Sequence, residues 1–403
     1  MKRCLLLFAL SLLAGRVGAT ILPGFRIERI ADVSGFISSI VVDSRGAIYY
    51  TTTNGTIFRL DRDHSTAIAI AATNATGNSG LLGMALADDN TAVVHYTRPN
   101  QTYDVISRID LATGRETVVH EFAGDIGNPE HGVSSEHHGG NPIVVDGAII
   151  VGIGDYGAVQ IAAFPEWNGG KIFRIDPDGS VEQLARGFRN PFDMAWDPEN
   201  HVLIAPDNGD AIDDEINVVG APGQYYGWPQ TMGNEPAVDG AVPPVYVFPE
   251  VNAPTGIARL SGHNAMLRHG YLLCTYVTHA MLFFDNIDEP KPIAIIKGET
   301  ASLIDVAEGP NGEIFFATGT TIYRLIPPLR GDCNGDGVVD VNDIAALDRE
   351  LADGVPHDVH VAQDGAFKGS WGCDADGDGL ITQSDRGALL RLLTNRFPAV
   401  RRR

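Results

Sequence analysis

The sequence predicts an all-β fold, a six-bladed β-propeller, followed by a small α-helical, EF-hand-like calcium-binding module. Three observations carry this. Residues ~22–327 are rich in Gly, Val, Ile and Thr, and one unit recurs there: an acidic or Pro turn, a Gly, a short alternating strand, then a second strand ending in Arg plus an aliphatic residue. At roughly 50 residues per blade, about 305 residues make six blades. Beyond Leu325-Ile326-Pro327-Pro328-Leu329-Arg330 the composition changes, and two acidic loops follow, each leading into a helical pattern.

Taken in chain order, Met1-Lys2-Arg3 is a basic start, Cys4 to Ala14 is apolar, and Val17-Gly18-Ala19 offers small residues for cleavage. Residues 1–19 therefore read as a secretory signal peptide, which implies a secreted or periplasmic protein. No later run of about 18 apolar residues occurs, so no membrane span is expected. The repeating unit is seen where Val41-Val42-Asp43-Ser44-Arg45-Gly46-Ala47-Ile48 leads to Ile57-Phe58-Arg59-Leu60. It is seen again where Val144-Val145-Asp146-Gly147-Ala148 leads to Ile172-Phe173-Arg174-Ile175. Each reads as strand, tight turn, strand. A hairpin cannot bury its apolar face alone, so stacked blades supply the core; an array of β-sandwiches is the alternative. Residues 22–327 are assigned to the propeller, 328–331 to a linker and 332–396 to the C-terminal module.

The net charge of −22 argues against nucleic acid and anionic membranes as partners, since both need a basic patch. Past the leader three cysteines remain. Cys333 and Cys373 share the C-terminal module and are expected to form a disulfide, whereas Cys274 lies in an apolar strand and reads as a small buried hydrophobe.

In the module, Asp332, Asn334, Asp336 and Asp343 occupy positions 1, 3, 5 and 12 of one loop. Asp374, Asp376, Asp378 and Asp385 do so in a second. Gly337 and Gly379 stand at position 6, and Val338 and Leu380 at position 7 would each lend a backbone carbonyl. Calcium takes six to eight hard oxygens, and the Gly permits the turn that gathers them. Paired loop-plus-helix units with Asp at position 12 resemble a type I dockerin, which implies a cohesin-like partner. The residues ahead of position 12, Val341-Asn342 and Gln383-Ser384, are not the small hydroxyl pair of cellulosomal dockerins, so a calcium-stapled anchoring module is the other reading.

Four stretches of the propeller concentrate its unusual polar residues: Glu136 to Gly140, Gly152 to Gly157, Gly187 to Pro191, and Asn208 to Pro229. They offer a His with an Asp to orient it, a fixed cation, and oxygen-rich Gly turns. A general base needs a His whose second nitrogen is held by an acceptor, and Asp155 can do that for His137. Arg189 can stabilise an oxyanion or bind a planar acid. The pattern His-x-Gly-Gly, Gly-Asp-x-Gly, Gly170 to Gly179, Arg-Asn-Pro, Asp-Glu-Ile-Asn and Tyr-Gly-Trp-Pro is similar to the soluble glucose/sorbosone dehydrogenase family, and Gly80-Leu81-Leu82-Gly83 adds an early match.

That resemblance implies a six-bladed propeller holding pyrroloquinoline quinone and Ca2+ at the mouth of its channel. It implies that His137 takes the proton from the C1 hydroxyl of an aldose sugar while hydride passes to the quinone, which an external electron acceptor later reoxidises. Asp155 would orient His137; Arg189, Asn190 and Ser79 would contact the cofactor. Carbonyls of Gly209 and Asp210 would hold the catalytic calcium, and Glu215 and Tyr226 a second, structural one. Three positions depart from the family: Asn141 and Asp210 stand where Arg and Pro are usual, and Ser302-Leu303-Ile304 lacks the Arg that meets the cofactor's carboxylates. Losing that cation weakens binding of a tricarboxylate, unless Arg268 or Lys297 compensates. Two alternatives stay open: a cofactor-less propeller that binds carbohydrate or protein, displayed through its tail, and a calcium-dependent lactonase.

Overall fold

The computed structural model of the chain describes residues 20–396 apart from 63, 74, 100–102, 125–135, 211–212, 237, 265 and 360–369. The expected signal peptide lies outside the described residues.

Six sheets surround one axis, spanning residues 37–70, 81–123, 143–186, 195–247, 254–297 and 303–326, all antiparallel except that Gln224–Tyr225 adds parallel to the edge of the third. The turn chemistry behind each hairpin is legible at Asp43. Its Oδ1 accepts from the backbone N–H groups of Arg45 (2.9 Å) and Ala47 (2.8 Å), and Gly46 takes the left-handed φ of 83° that closes the loop. The innermost strands, among them Ile37–Val42, Leu81–Asp88, Pro254–Arg259 and Leu303–Glu308, pack neighbour to neighbour into a closed ring. Between blades lie apolar layers such as Tyr49, Ile57, Leu81, Met84 and Tyr96, which bury the sheet faces a lone hairpin would expose.

Closure of the ring uses the N-terminal segment. Arg26–Asp32 pairs with Thr321–Ile326 as the outer strand of the sixth blade, and Thr20–Ile21 adds to the outer strand Ile293–Lys297 of the fifth. The chain start is thereby tied to the chain end of the propeller.

The C-terminal module carries two helices, Val341–Glu350 and Gln383–Arg396, each entered from one of the acidic loops. Cys333 and Cys373 form the expected disulfide, and Cys274 is a buried free thiol. The module does not hang from a free linker. Trp371, buried at 1% exposure, sits edge-on between Phe25 and Phe283, both with ring centroids at 5.4 Å. Leu267, Phe283, Cys333, Leu347 and Leu389 continue one core across the junction. Arg268 donates to the Gly377 carbonyl of the second loop.

Candidate active site at the propeller mouth

A cavity of about 540 Å3 opens on the axis where the inner strands begin, lined by residues of five blades and their connecting loops. His137, two residues before Gly139 of that lining, takes a left-handed conformation (φ 51°). A Cβ at Gly139 would lie 2.0 Å from the Gly152 carbonyl, and one at Gly154 would lie 2.2 Å from the His137 carbonyl, so both must be Gly. The imidazole Nδ1 donates to Asp155 Oδ1 at 2.6 Å, which leaves Nε2 as the free lone pair of a general base. Asp155 is fully buried and doubly fixed: Oδ1 also accepts from the Gly157 N–H (2.8 Å), and Oδ2 accepts the Trp228 indole N–H (2.9 Å).

The Arg189 carbonyl accepts the Asp155 N–H at 2.8 Å, so the base and the cation share one backbone junction. The Arg189 guanidinium lies over the Trp228 ring (5.8 Å to the centroid), donates to the Asn208 carbonyl (3.1 Å), and faces Asp210 at 3.5 Å. Beneath it, buried Asp207 accepts the backbone N–H groups of Arg189 and Asn190 at 2.8 and 2.7 Å. Burial, with the charge of Glu215 nearby, pushes the Asp207 carboxyl well above the usual range. Asn190 lines the cavity and accepts from the Gly139 N–H; Asn208 spans to the Asn190 and Pro254 carbonyls.

Other expected residues are distributed as follows. Ser79 is buried and lines the cavity, its hydroxyl donating to Thr76. Gly209 is pinned by its N–H to Asp214, while Asp210 is exposed. Asp214 is a buried clasp that also accepts from the Asn252 and Ala253 N–H groups. Glu215 accepts from Asn217 and the Gly233 N–H, and burial pushes its carboxyl up to about 7 against those hydrogen bonds. The Tyr226 hydroxyl donates to the Val218 carbonyl at 2.8 Å. The compensating cations do not materialise: Arg268 is turned to the C-terminal loop and Lys297 lies on an outer strand.

Sequence reasoning gave Trp228 no role beyond its place in the Tyr-Gly-Trp-Pro pattern and singled out neither Asp207 nor Asp104. Asp104, fully buried, accepts from His138 Nδ1 (3.1 Å) and the Tyr156 hydroxyl (2.7 Å), so it steadies the residues that follow His137 and Asp155. Their only signal is acid type on a strand; their pairing across 34 and 52 residues is not local.

Among the described residues no Lys or Arg lines the cavity; its polar lining is neutral, including Thr53, Asn78, Ser79, Asn190 and Thr255, beside Phe36, Leu82 and Ile304. Asn78 donates to Glu136, which adds an anion near that wall. Asn190 gives this lining an amide that suits a quinone oxygen, while the lining offers no cation for three carboxylates.

In the C-terminal loops, Asp332 accepts from the Asp336 and Gly337 N–H groups, and Asp374 from those of Gly377, Asp378 and Gly379. Asp343 and Asp385 close their loops from the helix starts. Carboxylate oxygens of Asp374, Asp376 and Asp378 lie within 4.8 Å of one another, a spacing that suits a hard cation. Burial, reinforced by neighbouring acids, raises Asp332, Asp374 and Asp385 above the ordinary carboxyl value.

A family model described as Glucose / Sorbosone dehydrogenase matches residues 38–326, and one described as Dockerin type I domain matches residues 330–394. The chain is similar to the PQQ-bound form of an aldose sugar dehydrogenase from Streptomyces coelicolor, with 22% identity, a TM-score of 0.64, and coverage of 76% of this chain and 99% of that one. It is likewise similar to the apo form of the soluble aldose sugar dehydrogenase from Escherichia coli, with 18% identity, a TM-score of 0.64, and coverage of 75% and 99%. At these identities the likenesses show the fold. An uncharacterised protein of Synechocystis sp. is 26% identical over 169 residues, 38% of this chain; the match spans 40% of that relative's length.

Proposed function

The chain belongs to the glucose/sorbosone dehydrogenase family and carries a dockerin type I domain, and from that premise we propose that it is an exported oxidoreductase that oxidises the C1 hydroxyl of an aldose. The observation that carries this reading is the His137–Asp155–Trp228 array, with Arg189 over the Trp228 ring, next in the chain to Gly139 and Asn190 of the axial cavity's lining. His137 Nε2 accepts the hydroxyl proton, and Asp155 stabilises the resulting imidazolium while holding the ring. Asn190 on the cavity lining, with Arg189 before it in the chain, is the proposed donor to negative charge developing on the acceptor's oxygens. Pyrroloquinoline quinone, when bound, supplies the carbon that takes the hydride. Carbonyls of Gly209 and Asp210 for one Ca2+, and Glu215 with the Tyr226 carbonyl for another, are the proposed metal positions. The buried disulfide and the dockerin fit an oxidising, extracellular setting, reached through the residue 1–19 leader, and the dockerin makes a cohesin-like protein the expected partner.

The test is reduction of an artificial electron-acceptor dye by the purified chain with calcium, quinone and a panel of aldoses. The cation-free wall favours a second reading, a propeller that binds ligands without redox chemistry. Absence of quinone binding at micromolar concentration together with absence of dye reduction selects it. Ile304→Arg places a guanidinium on the cavity wall and is expected to tighten quinone binding by about tenfold, read by fluorescence titration; unchanged affinity removes the cofactor's carboxylates from that wall.

Both C-terminal loops are proposed to hold Ca2+ through Asp332, Asn334, Asp336, the Val338 carbonyl and Asp343, and through Asp374, Asp376, Asp378, the Leu380 carbonyl and Asp385. At free calcium 100-fold above Kd, each ion contributes about 2.7 kcal/mol. Chelation is therefore expected to lower the thermal midpoint and expose the 332–396 region to protease; an unchanged midpoint and digestion pattern contradicts calcium binding there.

A further inference from the structure

Two aromatic side chains that line the mouth cavity are left nearly half in water, Phe36 at 44% exposure and Tyr276 at 46%. Each has a fixed seat. The Phe36 ring lies on bare backbone, since a Cβ at Gly319 would come within 2.6 Å of it, and the Phe36 carbonyl accepts the Thr53 N–H at 2.9 Å. Tyr276 and Val277 donate their N–H groups to the Ala253 and Asn252 carbonyls, both at 2.9 Å. Buried Asp214 grips the N–H groups of the same two residues, each at 2.7 Å. Ala253 is held there in a left-handed conformation (φ 49°), which costs energy in any residue but Gly. Large apolar groups kept in water on fixed supports beside a concave site suit the apolar face of an incoming ring.

The charges around the cavity are one-sided. Its lining holds no Lys or Arg among the described residues, and residues 74, 100–102, 125–135 and 211–212 contain none in sequence. Cations of neighbouring elements are spent on the protein itself. Lys171 Nζ donates to the Ile161, Ala162 and Gly169 carbonyls, Arg98 to Glu121, and Arg189 to the Asn208 carbonyl. Acids border the lining instead: Glu136 accepts from Asn78 at 3.0 Å, and Asp207 from the Asn190 N–H at 2.7 Å. A carboxylate entering here loses water and gains no counter-charge.

We propose that the mouth cavity selects an uncharged ring seated on Phe36 and Tyr276, and that it discriminates against carboxylated ligands, pyrroloquinoline quinone among them. The ligand chemistry is a ring with an apolar face and neutral oxygens at its edge, which a neutral sugar and a quinone without carboxylates share. The aromatic residues meet the face, and the amide and hydroxyl groups of the lining meet the edge. The inference rests on this cavity being the ligand site of the proposed oxidation, and not on the oxidation itself.

Matched pairs of probes isolate the charge. The full chain, with calcium present throughout, is titrated with glucose and glucuronate by calorimetry, and with benzoquinone and pyrroloquinoline quinone by fluorescence. The uncharged member of one pair is expected to bind at least about tenfold tighter than its carboxylated partner, and the pair that shows it identifies the source of the ring. Tyr276→Ala and Phe36→Ala are each expected to weaken that ligand by about tenfold, while Tyr276→Phe retains it. Both side chains are half exposed, so the thermal midpoint should stay at the wild-type value in all three variants. A carboxylated probe that binds as tightly as its uncharged partner, no binding of either uncharged probe, or affinity untouched by both alanine variants each overturns the proposal. Dye reduction is scored separately: selective binding without it removes the oxidation and leaves this inference standing, whereas dye reduction with tightly bound pyrroloquinoline quinone does the reverse.

Discussion

His137→Ala is expected to lower the rate of dye-linked aldose oxidation by about 10²–10⁴-fold, the range a positioned general base supplies. The expectation rests on the ring being held from one side only. Nδ1 is committed to Asp155 at 2.6 Å, so the tautomer with a free Nε2 is selected before substrate arrives. Asp155 in turn cannot swing, because Gly157 and the Trp228 indole occupy its other lone pairs. The loss should fall on kcat and leave quinone binding unchanged, since no cofactor contact is assigned to the imidazole. Trp228→Phe should cost less and act through the pH profile, because it frees one oxygen of Asp155 without removing the base. Dye reduction that survives His137→Ala at wild-type rate would sink the assignment.

Trp371→Ala is expected to destabilise the chain by about 3–5 kcal/mol, the usual cost of deleting a buried large aromatic. Its ring is the shared element between module and propeller: Phe25 precedes the sixth blade's outer strand, and Phe283 belongs to the fifth. The cavity left behind would be walled by both bodies, so the loss should appear in the unfolding of the whole chain. A dockerin tethered by a slack linker would give the opposite result, with the propeller midpoint unmoved. Differential scanning calorimetry of wild type and Trp371→Ala separates the two, and Trp371→Phe should recover part of the loss by restoring the edge-to-face contacts.

The active-site residues divide by how local their signals are. His137, Asp155, Arg189 and Asn190 were readable as candidates because each sits in a short Gly-bounded motif similar to the glucose/sorbosone dehydrogenase family. Trp228, Asp207 and Asp104 were not, because their partners lie on other blades and a lone Asp on a strand looks the same whether it clasps a loop or faces water. The same limit applies to Arg268 and Lys297, which composition allowed as substitutes for a missing cation and which the fold directs elsewhere.

Read alone, the amino-acid sequence determined the six-bladed propeller, the paired acidic loops, the disulfide and the candidate pair His137 and Asp155. Those features are written in short periods: alternating strands, Asp-Gly turns and twelve-residue loops, where each residue's role depends on near neighbours. The tertiary structure decided which strand closes the ring, that the module is packed on the fifth and sixth blades, and that the mouth cavity has neutral walls. These depend on residues up to several hundred positions apart being brought to one line by ring closure, and no local pattern encodes a distance of that kind.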